Sequence, residues 1–154
     1  MTQITEDTFE YLLNLYGDSQ EIDFRDVTFI DPCGMVVLLE IGELLKSKGF
    51  QKTMYLPESE EVLKYLERMD FFRFAGGYFI LEPSKPQISE KYLRSSYSDV
   101  LLEITPIEKS DDIHFIVGKV KDRANAILAR HLHYDEKAIH GFIVALSEVC
   151  QNII

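Results

Sequence analysis

The sequence predicts an α/β protein whose sheet is at least partly parallel. Between residues 21 and 81, strand-like segments alternate with segments of helical period in the order strand, helix, strand, helix, strand. Short connections between such segments favour parallel pairing through right-handed crossovers. After residue 82 the composition shifts to Pro and Ser, so we predict a domain over residues 1–82, a linker over 83–98 and a second unit over 99–154.

The first predicted elements are a helix and a kinked strand. Apolar side chains recur at three- and four-residue spacing over about residues 6–16, and Gly17 can close the helix that this spacing predicts. Residues 21–31 alternate between apolar and polar side chains, which is typical of a strand, with a kink expected near Arg25.

The next predicted helix begins at Asp31 and Pro32. An Asp side chain accepts amide hydrogens of the first helical turn, and Pro at the first helical position loses no needed donor. This helix should run to about Lys48, with Gly49 as its C-terminal cap. Beyond it we expect a buried strand over residues 53–56, a helix over 58–69, a turn at residues 76–77 and a strand over 78–81.

The second unit is predicted to contain one strand and two helices. Residues 100–107 have strand character, and Ser110, Asp111 and Asp112 predict the cap of a helix that covers about residues 113–130. Asp135 predicts the cap of the last helix. The chain ends in Ile153 and Ile154 without a polar last turn, so we expect it to be a fragment of a longer protein.

Composition and charge narrow the class of protein. A hydrophobic content of 46% excludes a disordered chain, and the sequence has no apolar run long enough to cross a membrane. No secretion signal opens it, so we expect a cytoplasmic protein in which Cys33 and Cys150 are reduced and mostly buried. Residues 1–84 carry 7 Lys and Arg against 16 Asp and Glu, which disfavours nucleic-acid and membrane-surface binding and favours protein partners.

The turn at Asp31, Pro32, Cys33 and Gly34 resembles the phosphorylation turn of STAS domains. The segment 65–72, at the end of the second helix of that domain, extends the likeness, which covers roughly residues 20–82. The resemblance implies a mixed sheet with helices and a docking surface at Asp31, Cys33 and Gly34. In the anti-sigma-factor-antagonist branch of the family, a Ser or Thr that a kinase phosphorylates occupies the position of Cys33, so ordinary phospho-switching is not expected. The alternative is purely structural, with Asp31 as an N-cap and Cys33 as a small packing residue.

The last helix places two polar residues on one face. Glu148 and Asn152 are four residues apart, with the small residues Gly141 and Ala145 nearby. The side chains expected to fill the opposite, core side are those of Ile139, Phe142, Ile143, Leu146, Val149, Cys150 and Ile153. The polar pair could line a pocket, or it could be a surface pair on a packed helix.

This helix resembles the N-box helix of GHKL (histidine-kinase-like) ATPases, and the segments from residue 102 resemble the strand and helix that open anti-sigma-kinase-like members. The resemblance implies that Glu148 activates the attacking group and that Asn152 binds the Mg²⁺ of Mg-ATP. The family's later glycine-rich boxes do not occur in this chain. We therefore expect no cofactor and no ATP hydrolysis here, and Mg-ATP only in a full-length parent. The four histidines form no metal-ligand pattern.

Three functional hypotheses follow. The first is a regulatory, partner-switching module of a bacterial signalling protein that docks onto an anti-sigma or STAS-type regulator or onto its own ATPase domain. The second is that the parent is an ATP-dependent serine or threonine protein kinase. The third is a small-molecule sensor with a cleft between the sheet and the first helix. Each is compatible with a homo-oligomer.

Overall fold

A computed structural model describes residues 2–8, 10–14, 17, 19–84, 103–124, 127, 133 and 135–152. Its contacts divide the chain into two compact units, Met1–Arg94 and Ser95–Ile154. Of the predicted linker over residues 83–98, only Pro83 and Ser84 belong to the described residues. Within the described part of the chain, no helix has the length and the apolar character needed to cross a membrane.

Unit 1 is an α/β unit of short parallel strands and helices. Its elements in chain order are β1 (Thr2–Ile4), α1 (Glu10–Asn14), β2 (Glu21–Asp23), β3 (Val27–Ile30), α2 (Pro32–Ser47), β4 (Thr53–Tyr55), α3 (Glu60–Arg68), α4 (Phe71–Tyr78) and β5 (Ile80–Glu82). The predicted α/β class is therefore confirmed.

The strands form two small sheets, and each strand pair found among the described residues is parallel. Strand β1 pairs with β3, and β4 lies between β2 and β5. A turn separates β2 from β3, where the amide of Val27 donates to the carbonyl of Phe24 at 2.9 Å. The kink predicted near Arg25 is confirmed. Because of this turn, β2 before it pairs with β4, and β3 after it pairs with β1. The mixed sheet that the STAS resemblance implies is not seen in these pairs.

Part of the core of unit 1 lies on one face of the three-stranded sheet. Ile22, Met54 and Leu81 are buried at matching positions of β2, β4 and β5. Their neighbours along the strands point to the opposite face, which carries exposed or half-buried side chains. Near the end of α1, the buried Lys52 ammonium donates to the carbonyl of Gly17 at 2.6 Å, which satisfies a charge that burial would otherwise destabilise.

Helix α2 has the ends that the sequence predicts. Asp31 is its N-cap, and Gly49 has a φ of +79° directly after the C-cap. The amide of Gly49 donates to Lys46 and that of Phe50 to Leu45, a pattern that closes the last turn and favours glycine at the left-handed position. Both predicted ends of the helix are confirmed.

Three elements of unit 1 differ from the sequence predictions. Strand β1 was not predicted, because its three residues gain strand character only by pairing with β3. The turn expected at Gly76 and Gly77 is wrong, since both lie inside α4 and strand β5 begins only at Ile80. Phe71 and Ala75 lie one helical turn apart and are both buried, and this burial outweighs the weak helix propensity of two exposed glycines. The first helix also begins later than predicted, at Glu10.

Unit 2 contains α5 (Ser110–Ala124) and α6 (Glu136–Gln151). The helices pack on each other, and the buried side chains among the described residues of this unit are Ile113, Ile116, Ala124, Ile139 and Cys150. The strand predicted over residues 100–107 is wrong for residues 103–107, which belong to no strand, and residues 100–102 lie outside the described part. The predicted extension of α5 towards residue 130 also falls outside the described residues, except for Ile127.

Candidate functional site

The carboxylate of Asp31 holds the turn between β3 and α2. Its Oδ1 atom accepts the amide hydrogen of Gly34 at 2.6 Å, which caps the helix as predicted. Its Oδ2 atom accepts the amide hydrogen of Glu6 at 3.0 Å, so the same side chain also fixes the segment that follows β1. With both oxygens bound to backbone amides, this turn is anchored to two separate parts of unit 1.

Gly34 is required at this turn by close packing. It is buried, and a Cβ atom placed on it would lie 2.7 Å from Cγ2 and 3.1 Å from the carbonyl oxygen of Ile4. The backbone of α2 can therefore approach β1 closely only without a side chain at this position. The role of Gly34 in the structure is to permit this approach.

Cys33 is exposed at the head of α2, so its proposed role as a packing residue is wrong. The expectation that both thiols are mostly buried holds only for Cys150; both cysteines are free. Tyr65 lies near the turn and is half-buried. Burial raises the pKa of the Tyr65 phenol, and the negative charge of Asp31 acts in the same direction. The phenol therefore stays neutral beside the turn.

Helix α2 presents an exposed face that continues from this turn. The side of the helix opposite to this face is fixed in the core, where Met35 and Leu38 are almost completely buried. Val36 and Leu44 keep 46% and 47% of their surface exposed. We call the following exposed residues the α2 face: Cys33, Val36, Glu40, Glu43 and Leu44.

The open face of the three-stranded sheet carries a cluster of charged residues and a tyrosine that no sequence pattern predicts. Arg25 binds Asp23 through two bonds of 2.6 and 2.9 Å, and these bonds lower the pKa of Asp23 to about 2. The guanidinium also lies 5.1 Å from the centre of the Tyr55 ring. Glu21, which accepts a hydrogen bond from the Tyr55 hydroxyl at 3.3 Å, raises the pKa of that phenol. Asp23 and Arg25 are neighbours in sequence, and the strand register adds Tyr55, because Asp23 and Tyr55 are partners across β2 and β4.

Glu148 and Asn152 lie where the sequence predicts, on the exposed side of α6. Both are exposed, and Asn152 is the C-cap residue, whose amide donates to the carbonyls of Glu148 and Val149 at 3.2 Å each. The structure therefore brings the two residues to one end of one helix. Their predicted roles in activating a nucleophile and binding Mg²⁺ remain predictions.

The core side assigned to α6 is partly wrong. Ile139 and Cys150 are buried, but Phe142 and Val149 keep 48% and 59% of their surface exposed. The hydrophobic pattern includes the buried pair Ile139 and Cys150 as well as the exposed pair Phe142 and Val149, but α5 covers only the buried pair. The sequence could show the apolar stripes of the helix, but not how many of them have a neighbour.

A cleft of about 310 Å³ lies in unit 2. Among the described residues, its lining consists of Ser110, Ile113, His114 and Gln151, and includes neither Glu148 nor Asn152. In the described part of the chain, no three His, Cys, Asp or Glu side chains are grouped so that they could hold a metal ion.

Comparison with known proteins gives no match: no protein-family model fits the chain, and no curated protein or solved structure is similar to it. The α/β class of this chain is therefore established by its structure alone, and the likenesses to STAS and GHKL domains remain predictions.

Proposed function

We propose that this chain is a regulatory protein-interaction module of a bacterial signalling protein, of the partner-switching type, and that the α2 face is its docking surface. The observation that supports this most directly is the Asp31 turn. One carboxylate binds the amides of both Gly34 and Glu6, and Cys33 at the head of the helix is left exposed. A turn fixed in this way presents the same surface to each partner, so little ordering entropy opposes binding.

The composition of the α2 face indicates the kind of partner. Val36 and Leu44 offer apolar contact area, while Glu40 and Glu43 lie between them on the same side of the helix. A helix with apolar anchors and carboxylates suits a partner surface with an apolar groove edged by Lys or Arg. The excess of Asp and Glu over Lys and Arg in residues 1–84 would steer such a basic partner towards unit 1. An anti-sigma or STAS-type regulator, or the chain's own ATPase domain in a longer parent, fits this description.

Cys33 determines how the switch would be controlled. A thiol does not accept a phosphoryl group as a serine hydroxyl does, so regulation by phosphorylation at this position is not part of the proposal. The switch between the bound and the unbound state of this chain is then controlled by the partner, either through binding itself or through a change in the partner's own state.

The proposal is tested by site-specific photocrosslinking in bacterial cells that produce this chain. A photoreactive phenylalanine analogue at Val36 is compared with the same analogue at Ile80, which has a similar exposed fraction of 48% but lies on β5. We expect a crosslinked anti-sigma or STAS-type protein from Val36 and none from Ile80. Equal crosslinking at both positions, or captured proteins with no regulatory relation to each other, would contradict a docking role for the α2 face.

A second candidate function is supported by the exposure of Glu148 and Asn152 at one end of α6. In this case the parent protein is an ATP-dependent protein kinase, and this chain carries only the first part of its nucleotide site. A carboxylate can take a proton, and an amide oxygen can bind a hard cation. If so, Glu148→Ala in the longest natural form of the protein abolishes ATP turnover without changing its folding. Turnover that survives this substitution excludes the assigned role of Glu148.

A further inference from the structure

Helix α6 carries two apolar stripes, and α5 covers only one of them. The covered stripe consists of Ile139, Ile143, Leu146 and Cys150, which are buried or half-buried. The other, which we call the open stripe, lies about 100° further round the helix. Its four members are all exposed: Ala138, Phe142, Ala145 and Val149. The 4-3-4 spacing of the open stripe is that of a helix that packs along a second helix.

The order of side-chain sizes along the open stripe identifies its complement. From the N-terminal end the sizes run small, large, small, large, as Ala138, Phe142, Ala145 and Val149. If a second copy of α6 lies antiparallel with the two-fold axis between residues 142 and 145, each large side chain meets an alanine. Phe142 then faces Ala145 of the other copy, and Val149 faces its Ala138. Alternating large and small residues across facing positions is how closely spaced helices interdigitate.

A parallel pairing of the same stripe fits poorly. It would set Phe142 against Phe142 and Ala145 against Ala145, so the helices would be held apart at one level and leave a gap at the next. The size pattern therefore complements itself in one direction only. A self-complementary patch is what a two-fold symmetric dimer requires.

Charges agree with the antiparallel arrangement. The four stripe residues are uncharged, and the next facing pair in the same register is Asp135 with Asn152, a carboxylate opposite an amide. Glu148 flanks the stripe and would lie beside Gly141 of the other copy rather than beside a second Glu148. In this register no like charges face each other along the stripe, so the local charges do not oppose the pairing.

We propose that the open stripe is a dimer interface, and that α6 pairs antiparallel with α6 of a second copy of this chain. This inference does not depend on the docking role of the α2 face. The helix has 16 residues, which corresponds to a length of about 24 Å. An interface of one helix pair is smaller than the roughly 800 Å² per partner of a standard stable complex, so we expect a dimer that dissociates on dilution.

The test is sedimentation velocity on the full chain over a wide range of concentration. We expect the wild-type mass to rise from one chain to two. Ala145→Phe sets two phenylalanines against each other, so its dissociation constant should rise roughly tenfold or more. Phe142→Ala should weaken the dimer as well. The double variant Phe142→Ala, Ala145→Phe exchanges large and small, so it should recover most of the affinity.

Both positions are exposed, so circular dichroism should show unchanged folding in all these variants. A wild-type chain that stays monomeric at every concentration would overturn the proposal and would mean that another partner, or no partner, covers the stripe. A dimer insensitive to Ala145→Phe would overturn it too, since the contact would then lie elsewhere.

A second comparison tests the direction of pairing. A Cβ atom at Gly141 would meet nothing within 4 Å, so larger residues fit there without strain. In the antiparallel dimer Gly141→Lys places an ammonium beside Glu148 of the other copy. The Gly141→Lys variant should therefore dimerise more tightly at low salt than the matched control Gly141→Ala. This difference in affinity should vanish at high salt. Equal affinities at low salt would contradict antiparallel pairing.

Discussion

Helices α2 and α6 have the same length and the same kind of N-cap, yet they are built into their units very differently. Each has 16 residues and begins after an aspartate whose side chain accepts an amide hydrogen of the first turn. Helix α2 has seven buried residues, whereas α6 has two. Local signals therefore decide where a helix starts, whereas its neighbours decide how much of the helix is buried. The apolar side of α2 is covered by its own unit, whereas one apolar stripe of α6 stays exposed.

The largest contrast is expected between two phenylalanines. Phe71 of unit 1 is 1% exposed and Phe142 of α6 is 48% exposed. Phe71→Ala should lower the free energy of unfolding of unit 1 by about 4 kcal/mol, because it leaves a cavity in a packed core. Phe142→Ala should change that of unit 2 by no more than about 0.5 kcal/mol when the protein is dilute. Urea unfolding followed at the NMR signals of Met54 and Ile139 reports the two units separately.

A similar loss of stability in both variants would contradict this expectation. In that case Phe142 would be part of the core of unit 2, and the open stripe would not exist.

Gly34 in α2 and Gly141 in α6 differ in the space around their Cα atoms. Gly34→Ala forces a Cβ atom against Ile4, so we expect a loss of about 2 kcal/mol in the stability of unit 1. Gly141→Ala meets no neighbouring atom within 4 Å and removes the poor helix propensity of glycine. It should therefore stabilise α6 by up to about 1 kcal/mol. Thermal unfolding monitored by circular dichroism measures both changes, and a loss of stability in both variants would contradict the difference in packing.

The two aspartate caps form the next pair. Asp31 serves two backbone amides, those of Gly34 and Glu6, whereas Asp135 is seen to accept from the amide of Ala138, at 2.7 Å. We expect Asp31→Ala to lower the free energy of unfolding by about 2 kcal/mol and Asp135→Ala to lower it by about 1 kcal/mol. A single capping bond typically stabilises a protein by about 1 kcal/mol. Denaturant titration of each variant provides the measurement. If Asp135→Ala costs as much as Asp31→Ala, the second bond of Asp31 contributes nothing.

The smallest expected effect concerns the open sheet face of unit 1. The hydrogen bonds from Arg25 lower the pKa of Asp23 from 3.8 to about 2. Because the folded state holds the carboxylate charged, the stabilisation from this pair is complete above pH 3.8 and is lost as the pH falls through about 2. Carboxyl NMR titration should give a midpoint near 2 for Asp23 in the wild-type protein.

Arg25→Gln should return this midpoint towards the ordinary value, whereas Arg73→Gln, on a different element, should leave it unchanged. A wild-type midpoint at the ordinary value would show that the two side chains do not hold each other in solution.

How far the sequence predicts this structure depends on the range of the interactions involved. The caps at Asp31 and Asp135 and the left-handed Gly49 were predictable, because each depends on residues within one turn. Helix α4 was missed because the burial of Phe71 and Ala75 outweighs the turn signal of two glycines. Strand β1 depends on its pairing with β3, and no local sequence pattern predicts it.

The candidate sites follow the same division. The exposure of Glu148 and Asn152 follows from helical spacing and was predictable. The second bond of Asp31, to Glu6, spans 25 residues and was not. The cluster of Asp23, Arg25 and Tyr55 needs the register of β2 and β4, which sequence patterns leave undetermined. Whether Phe142 is covered depends on neighbours that the hydrophobic pattern of α6 does not identify.

Hydrogen exchange at several protein concentrations compares α2, whose apolar side is buried within its own unit, with α6, whose open stripe we propose to pair with a second copy. We expect the amides of α2 to exchange at the same slow rate at all concentrations, whereas those of α6 should become more protected as the concentration rises. Exchange in α6 that is slow and independent of concentration would contradict this pairing.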